Sequence, residues 1–311
     1  QVVKNAHSGA VLRCEPDGSH LEVYAHGLRN PQEIAFDTWG NLFTVDNDGD
    51  FKGERERLVY IAERSDSGWR CNWQYRQGQY NPWMDEKLCF PAFSGQAAFI
   101  TPPLALYSDG PSGLVFNPGT ALGKSLREMF FVTQFPGRKL SGFRLEPQGA
   151  SFRLASEQLV YSGPMMTGLS WGPDGCLYVA DWNSSAWDPH DRGKIWQLDV
   201  KPGERDPGRA ETAQLLSRGA AVCSLKELEQ SLAHADQRVR LAAQLELVKR
   251  RQSVLLLKVA TQGQDLLARV HALWGLGQLD APRPRVWCRS CPCCPTPVSY
   301  THLTLPTKRI V

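Results

Sequence analysis

Apolar and polar residues alternate in short runs over the first two hundred positions, and then the spacing changes to that of helices. IAFDTWGNLFTVD (34–46) and LSWGPDGCLYVAD (169–181) share one phrase: an apolar run, a turn with Gly, a second apolar run and a closing Asp. Each copy predicts two short strands joined by a turn. GLVFNPGTALGKSLREMFFVT (113–133) is a looser copy with a longer connection. A second phrase accompanies the first, as AVLRCEPDGSHLEVYA (10–25), LSGFRLEPQGASFRLAS (140–156) and GKIWQLDV (193–200). The first two of these predict hairpins turned by Pro-Asp-Gly and Pro-Gln-Gly. The two phrases together supply four strands, the content of one propeller blade. The fold class predicted is mainly β: a partial β-propeller over residues 1–200, about three blades of a six-bladed whole, followed by an α-helical segment.

Residues 51–108 interrupt the blade spacing with a stretch rich in Trp, Tyr, Pro and Gly. A long insertion on a rigid scaffold carries function or packs as a surface loop on its own aromatics, and the sequence leaves both open. KPGERDPGRA (201–210) reads as a Pro/Gly/charged linker. Beyond it, residues 211–280 show apolar positions at helical spacing, with a break at Asp236 and Gln237. LLLKVATQGQDLLARVHALWGLGQL repeats the plan, so the segment is expected to form HEAT-like helical hairpins.

Residues 281–311 change the reading of charge and cysteines. The formal net charge is +3, but Arg283, Arg285, Arg289, Lys308 and Arg309 lie after Asp280 with no acid among them, and without those five the balance is −2. A slightly acidic body gives no footprint for nucleic acid. Four of the nine cysteines crowd into RVWCRSCPCCPTP, with no second ligand pair at zinc-finger spacing. The run VSYTHLTLPTKRIV resembles translated sequencing-adapter sequence, so the natural chain is expected to stop near residue 283, with 281–311 an artefactual or disordered tail. The composition, 42% hydrophobic and 22% charged, is that of a soluble globular protein, and no apolar run is long enough for a membrane span.

Candidate chemistry concentrates in GLRNPQEIAFDTWGNLFTVDNDGD (27–50). Asp46, Asp48 and Asp50 occupy every second position, which puts them on one face of an extended segment. Three like charges side by side require a neutralising cation, and a hard cation such as Ca²⁺ takes oxygen ligands of this kind. An EF-hand loop is excluded: Phe51 stands where the loop needs Gly and Arg57 where it needs Glu. Asp188 and His190 sit in a Pro/Gly-bounded loop and are expected at the surface. No CxxCH occurs, so no haem c site is encoded.

The motifs GLRNPQ (27–32), DNDGDFKGERER (46–57), DSGW (66–69), PSGLVF (111–116), GPDGCLYVADW (172–182) and ARVHALWGLGQL (268–279) occur in that order. In this combination the chain resembles the quinoprotein sugar dehydrogenases of the soluble glucose/sorbosone type. More closely, it resembles the membrane-bound dehydrogenase-like proteins of planctomycete-type bacteria, which join such a propeller to HEAT-like repeats. The resemblance covers roughly residues 1–280. It implies pyrroloquinoline quinone (PQQ) held by Arg29, Asn30, Gln32 and Asn47. It also implies calcium near Asp46, Asp48, Asp50 and Glu54. The implied substrate is a sugar or other alcohol, the implied electron acceptor a c-type cytochrome, and the implied location periplasmic or secreted. The HEAT-like array would hold a protein partner. The chain departs from the family at Asn47-Asp48-Gly49-Asp50, where the enzymes show a Gly-Pro pair and then Asp-Glu. His7, His20 and His26 match no family context, so the catalytic His is expected upstream of residue 1. The contrasting expectation is a non-catalytic propeller that binds calcium or carbohydrate and carries a protein-interaction array.

Overall fold

The computed structural model describes residues 9–14, 18–49, 55–71, 74, 79–98, 100–184, 188–279 and 309–310. It is mainly β, with a block of helices after residue 208. Three antiparallel sheets follow one another along the chain. The first holds β3 (Pro31–Phe36), β4 (Leu42–Asp46), β5 (Glu56–Ile61) and β6 (Ala105–Ser108). The second holds β7 (Pro111–Phe116), β8 (Phe130–Gln134), β9 (Lys139–Gln148) and β10 (Ser151–Ser162). The third holds β11 (Met166–Trp171), β12 (Leu177–Asp181) and β13 (Lys194–Leu198). Within each sheet the strands lie in sequence order. A smaller sheet precedes them, made of β1 (Val11–Cys14) and β2 (Glu22–Ala25), with Arg309–Ile310 paired to the other edge of β1.

The sheets stand side by side because their middle strands are apolar on both faces. In β8 the alternation splits the strand between two cores. Phe130 and Val132 join Phe43, Leu58, Tyr107, Leu114 and Phe143, while Phe131 joins Leu140, Met166, Leu169, Leu177 and Val179. Aromatic edges fill the first of these layers: the Phe43 and Phe130 rings meet at 5.3 Å and 74°. The leading strands converge, with β3 packed on β7 and β7 on β11. Gly113 sits at the second of these approaches, where a Cβ would fall 2.9 Å from Gly168 Cα and 2.8 Å from Thr133 Oγ1.

The insertion forms one helical turn, α1 (Pro82–Asp85), opened by Asn81, whose side chain accepts from Trp83 N. Trp69, Trp83 and Met84 pack around Cys89 and Ile100, so this segment builds a small core of its own.

The stretch 201–210 is bonded on both sides. Asp206 is buried and accepts from Arg127 Nε at 2.9 Å. Arg209 forks onto Asp199, Nη1 to Oδ1 at 2.5 Å and Nη2 to Oδ2 at 3.1 Å, and donates to the Asp174 carbonyl. The helices are α2 (Arg209–Arg218), α3 (Leu225–Ser231), α4 (Gln237–Lys249), α5 (Ser253–Gln262) and α6 (Leu266–Gln278). Their starts follow the capping chemistry in the sequence: Ser224 and Glu227 form a capping box, while Asp236 and Asp265 cap α4 and α6. Leu228, Leu232, Leu247, Leu256, Val259 and Ala272 are among the residues that close the core between them. No described helix is long and apolar enough to cross a membrane.

The helices dock on the turns of the sheets. Asp236 is fully buried and accepts from Thr120 Oγ1 at 2.7 Å, and Thr120 also meets Thr212 Oγ1 at 2.8 Å. Gln237 Nε2 reaches the Asp37 carbonyl at 3.1 Å, and Arg238 Nη1 the Gly172 carbonyl at 2.7 Å.

Candidate functional site at the strand ends

One register position recurs in all three sheets. Asp46, Gln134 and Asp181 each close the second strand, paired with the first residue of the leading strand: Pro31, Pro111 and Met166. Just past each of those pairs the leading strand carries a register shift. The third strand sets a cation opposite each: Arg57, Lys139 and Lys194. All three closing side chains are buried. An extra residue in the leading strand re-aims the backbone there, and the buried polar side chain takes up the amides left unpaired.

In the first sheet this position is fully built. Asp46 Oδ1 accepts from Arg29 N at 3.0 Å and Asn30 N at 2.8 Å. Its Oδ2 accepts from Arg57 Nη2 at 2.5 Å. Arg57 is fully buried, and its Nη1 donates to the Ser67 carbonyl at 2.5 Å. Its Nε stands 2.9 Å from Asp48 Oδ2, close enough for an ion pair but at an angle poor for a hydrogen bond. Asp48 N in turn donates to Glu56 Oε2 at 2.6 Å, and Trp69 Nε1 to the Asp48 carbonyl at 3.2 Å. The chain itself therefore supplies a cation shared by Asp46 and Asp48, a guanidinium eleven positions along from Asp46 that balances one of the two charges.

In the second sheet, Gln134 Oε1 accepts from Asp109 N at 3.2 Å, two residues ahead of Pro111 just as Arg29 is two ahead of Pro31. In the third sheet the matching residue is Pro164, which has no N–H to give. Asp181 instead accepts from Asn183 N and Trp196 Nε1, both at 2.9 Å.

Above this buried network lies the polar surface of the Arg-Asn-Pro-Gln turn. Arg29 is half-buried, and its Nη1 donates to Asn47 Oδ1 at 2.8 Å, the Asn47 carbonyl at 3.2 Å and the Gly49 carbonyl at 2.9 Å. Asn30 and Gln32 are exposed and Asn47 half-buried. The structure thus brings Arg29, Asn47, Asp46 and Asp48 together. Asp50 and Glu54 lie outside the described residues. Among the described residues no group of three or more His, Cys, Asp or Glu side chains could hold a metal ion. Asp46 spends both oxygens on amides and Arg57, so it does not fit a calcium ligand; Asp48 is committed to the same guanidinium.

His26 lies beside the network with Nε2 3.4 Å from Asp66 Oδ2. Burial pushes the Asp66 carboxyl up, and hydrogen bonds from Arg70 and Gly68 outweigh that and hold it below the usual carboxylate range. On β3, Glu33 accepts from Leu114 N on β7 at 2.9 Å, and burial raises its carboxyl. Ser112 makes the matching link from β7 to β11, donating to the Met166 carbonyl at 2.8 Å. His190 accepts from Arg192 N and packs its ring on Trp182 rather than on Asp188, which is exposed. His7 lies outside the described residues, and His20 is exposed.

Arg57 is the functional residue that sequence reasoning missed. It entered only as a mismatch to an EF-hand, although the DNDGDFKGERER run contains it. Its signal was present: a basic residue in an apolar strand must find an acid if it is buried.

No family model matches the chain. No curated protein sequence matches it either. Among solved structures it is similar to the PQQ-bound aldose sugar dehydrogenase of Streptomyces coelicolor, at 19% identity and TM-score 0.42, over 62% of this chain and 52% of that one. It is similar to the soluble aldose sugar dehydrogenase of Escherichia coli in its apo form, at 18% identity and TM-score 0.40, over 57% and 46%. A further structure, described as a glucose dehydrogenase, aligns at 22% identity and TM-score 0.42, over 60% and 49%. The chain spans about half the length of each of these proteins. The reading of the site rests on this chain's own residues.

Proposed function

We propose that the strand-end face around Arg29 is a quinone-binding surface, and that the protein is part of a PQQ-dependent dehydrogenase acting on a sugar or other alcohol. The observation that carries the reading is the state of Arg29. Its guanidinium is fixed by three acceptors from Asn47 and Gly49 while the side chain stays half exposed. A pre-oriented guanidinium fork matches carboxylates and quinone oxygens, and PQQ carries both. Beneath it, Arg57 balances one of the two carboxylates Asp46 and Asp48, and Arg29 sets a second guanidinium above them at the surface. Asn30, Gln32 and Asn47 add amide donors and acceptors around the fork.

When bound, the quinone would accept the reducing equivalents from the alcohol. This chain's part is to seat and orient it: Arg29 by charge, Asn30 and Gln32 by hydrogen bonds, and Asp46 by holding the amides of residues 29 and 30 in place. A c-type cytochrome as acceptor, a periplasmic or secreted location, the assignment of the three sheets as propeller blades and of the helices as a HEAT-like partner array belong to the same proposal. Calcium enters it only through Asp50 and Glu54.

The test is direct titration of PQQ into the full chain, followed by quenching of Trp fluorescence. Arg29→Ala is expected to weaken binding at least tenfold, and Asn30→Ala less. The reading fails if PQQ does not bind, or if Arg29→Ala binds it as well as the parent.

A further inference from the structure

The contacts that dock the helices on the sheets converge on one buried histidine. His271 of α6 is 1% exposed. On one side Arg240 Nε donates to His271 Nε2 at 3.1 Å, and Arg240 Nη1 donates to the carbonyls of His234 at 2.6 Å and Ala235 at 3.0 Å. Those carbonyls belong to the turn that carries Asp236, the partner of Thr120, and Gln237, whose N donates to the Pro118 carbonyl at 2.6 Å. Gly119 closes on the same turn: a Cβ there would fall 2.2 Å from the Ala235 carbonyl oxygen. On the other side the Trp274 ring stands edge-on to His271 at 4.9 Å and 76°. Trp274 reaches the first sheet at Gly40, where a Cβ would fall 2.9 Å from the indole.

The ring fits this place in one protonation state. Nε2 faces a guanidinium N–H, and a guanidinium has no lone pair to offer, so Nε2 is bare. Nδ1 lies 2.7 Å from Gln244 Oε1 and carries the hydrogen. Gln244 is held the same way round by its Nε2, which donates to Gln278 Oε1 at 3.0 Å. A second proton would land on Nε2, donor against donor and cation against cation, in a site closed to water. Arg240 is itself 1% exposed, and its Nη2 has no hydrogen-bond partner, so the joint holds no spare acceptor for it to turn to. Relief requires ring and guanidinium to part, and Arg240 cannot leave without dropping the carbonyls of residues 234 and 235.

The surrounding charges do not offset a charged ring. Burial first, and Arg240 second, act on His271, both against its protonation. Asp236 and Asp265 act on Arg240 instead. Arg238 is held on Asp236, and His234 Nδ1 accepts from Asp236 N at 2.9 Å. Within α6, Arg269 turns to the Ala260 carbonyl. From α5 comes Lys258, exposed and paired with Glu229 at 2.9 Å. On the sheet side, Asp37 is bonded to its own turn through Trp39 N and Asn41.

We infer that His271 is an acid-operated latch, whose protonation releases the start of α4 and the 234–236 turn from the sheets while the strands stay folded. The docked ring refuses a proton that the released ring takes near pH 6.5. Docking is therefore full above pH 6.5, and the released population rises about tenfold per pH unit below it.

The experiment is hydrogen exchange read by mass spectrometry on the full chain, at steps between about pH 7 and 4.5, with rates corrected for the intrinsic pH dependence of exchange. The parent, His271→Gln and His234→Gln are compared. In the parent, opening at the start of α4 and in the 117–121 turn is expected to rise about tenfold per pH unit below 6.5, while β4, β8 and β12 keep their protection. His271→Gln should open at a rate independent of pH, and His234→Gln should keep the parent slope. The inference is overturned if opening of the joint is flat with pH in the parent, or if the strands open in step with it. It is also overturned if the slope survives His271→Gln, or if His234→Gln abolishes it. Should His271→Gln fail to fold, the parent slope and the His234→Gln control decide the question between them.

Discussion

At the scale of single residues, Arg57 decides the character of the site. It is a fully buried cation between two buried carboxylates and the Ser67 carbonyl. Removing one member of such a group leaves the others charged and desolvated. Arg57→Met is expected to cost about 3–5 kcal/mol in urea unfolding. Adding Asp46→Asn to that variant should recover part of the loss, because it removes one stranded charge. A double-variant cost equal to the sum of the Arg57→Met and Asp46→Asn single costs would mean that the pair is not coupled. The period-two spacing of Asp46 and Asp48 did show that both would turn to the same side and need a cation. It could not show that the cation is a side chain, because the register of β4 on β5, which sets Asp46 opposite Arg57, is fixed by strand pairing rather than by the local spacing of the acids.

Among elements, the hairpins were the most legible. The paired phrases at 34–46, 113–133, 140–156 and 169–181 fold as β3–β4, β7–β8, β9–β10 and β11–β12. Apolar runs with Pro/Gly turns are local signals, so one sequence suffices to find them. The break at Asp236 and Gln237 likewise became the N-cap and first residue of α4. The links between sheets were not legible. Glu33 to Leu114 N and Ser112 to the Met166 carbonyl join residues far apart in the chain. The close approach at Gly113 is of the same kind. Gly113→Ala would push a methyl group against Gly168 and Thr133, and it should cost about 1–3 kcal/mol in thermal or urea unfolding. A neutral result would mean that β7 and β11 can separate freely.

For the whole molecule, the sheets and helices are tied through buried polar contacts at Asp236 and through Gly40, whose missing side chain leaves room for the Trp274 ring. Asp236→Ala removes both an N-cap and the partner of Thr120, and about 2–3 kcal/mol is expected in urea unfolding. It should lower the unfolding midpoint of sheets and helices together; a loss confined to the helical signal would show that they unfold separately. The helical core also carries a titration. His271 is buried against Arg240, with Nδ1 2.7 Å from Gln244 Oε1. Desolvation first, and the Arg240 charge second, push its imidazole down to about 3. The unfolded chain therefore binds a proton near pH 6.5 that the folded chain refuses. The stability tied to the neutral ring is full above pH 6.5. It falls by about 1.4 kcal/mol per pH unit as pH drops from there toward 3. His271→Gln should flatten that part of the stability profile measured by urea unfolding at stepped pH; an unchanged slope would place the acid sensitivity elsewhere.

The closing position shared by Asp46, Gln134 and Asp181 has a consequence for how such a protein acquires new chemistry. The scaffold asks only that the side chain there accept a backbone or indole N–H, and a carboxylate and an amide both do so. The solvent side of each slot is then free to vary without disturbing the strands. One slot presents a fixed guanidinium, while in its neighbour the amide is held by Asp109 N and Ser141. Slots of this kind can change what they present one at a time, as interchangeable fittings on a common frame.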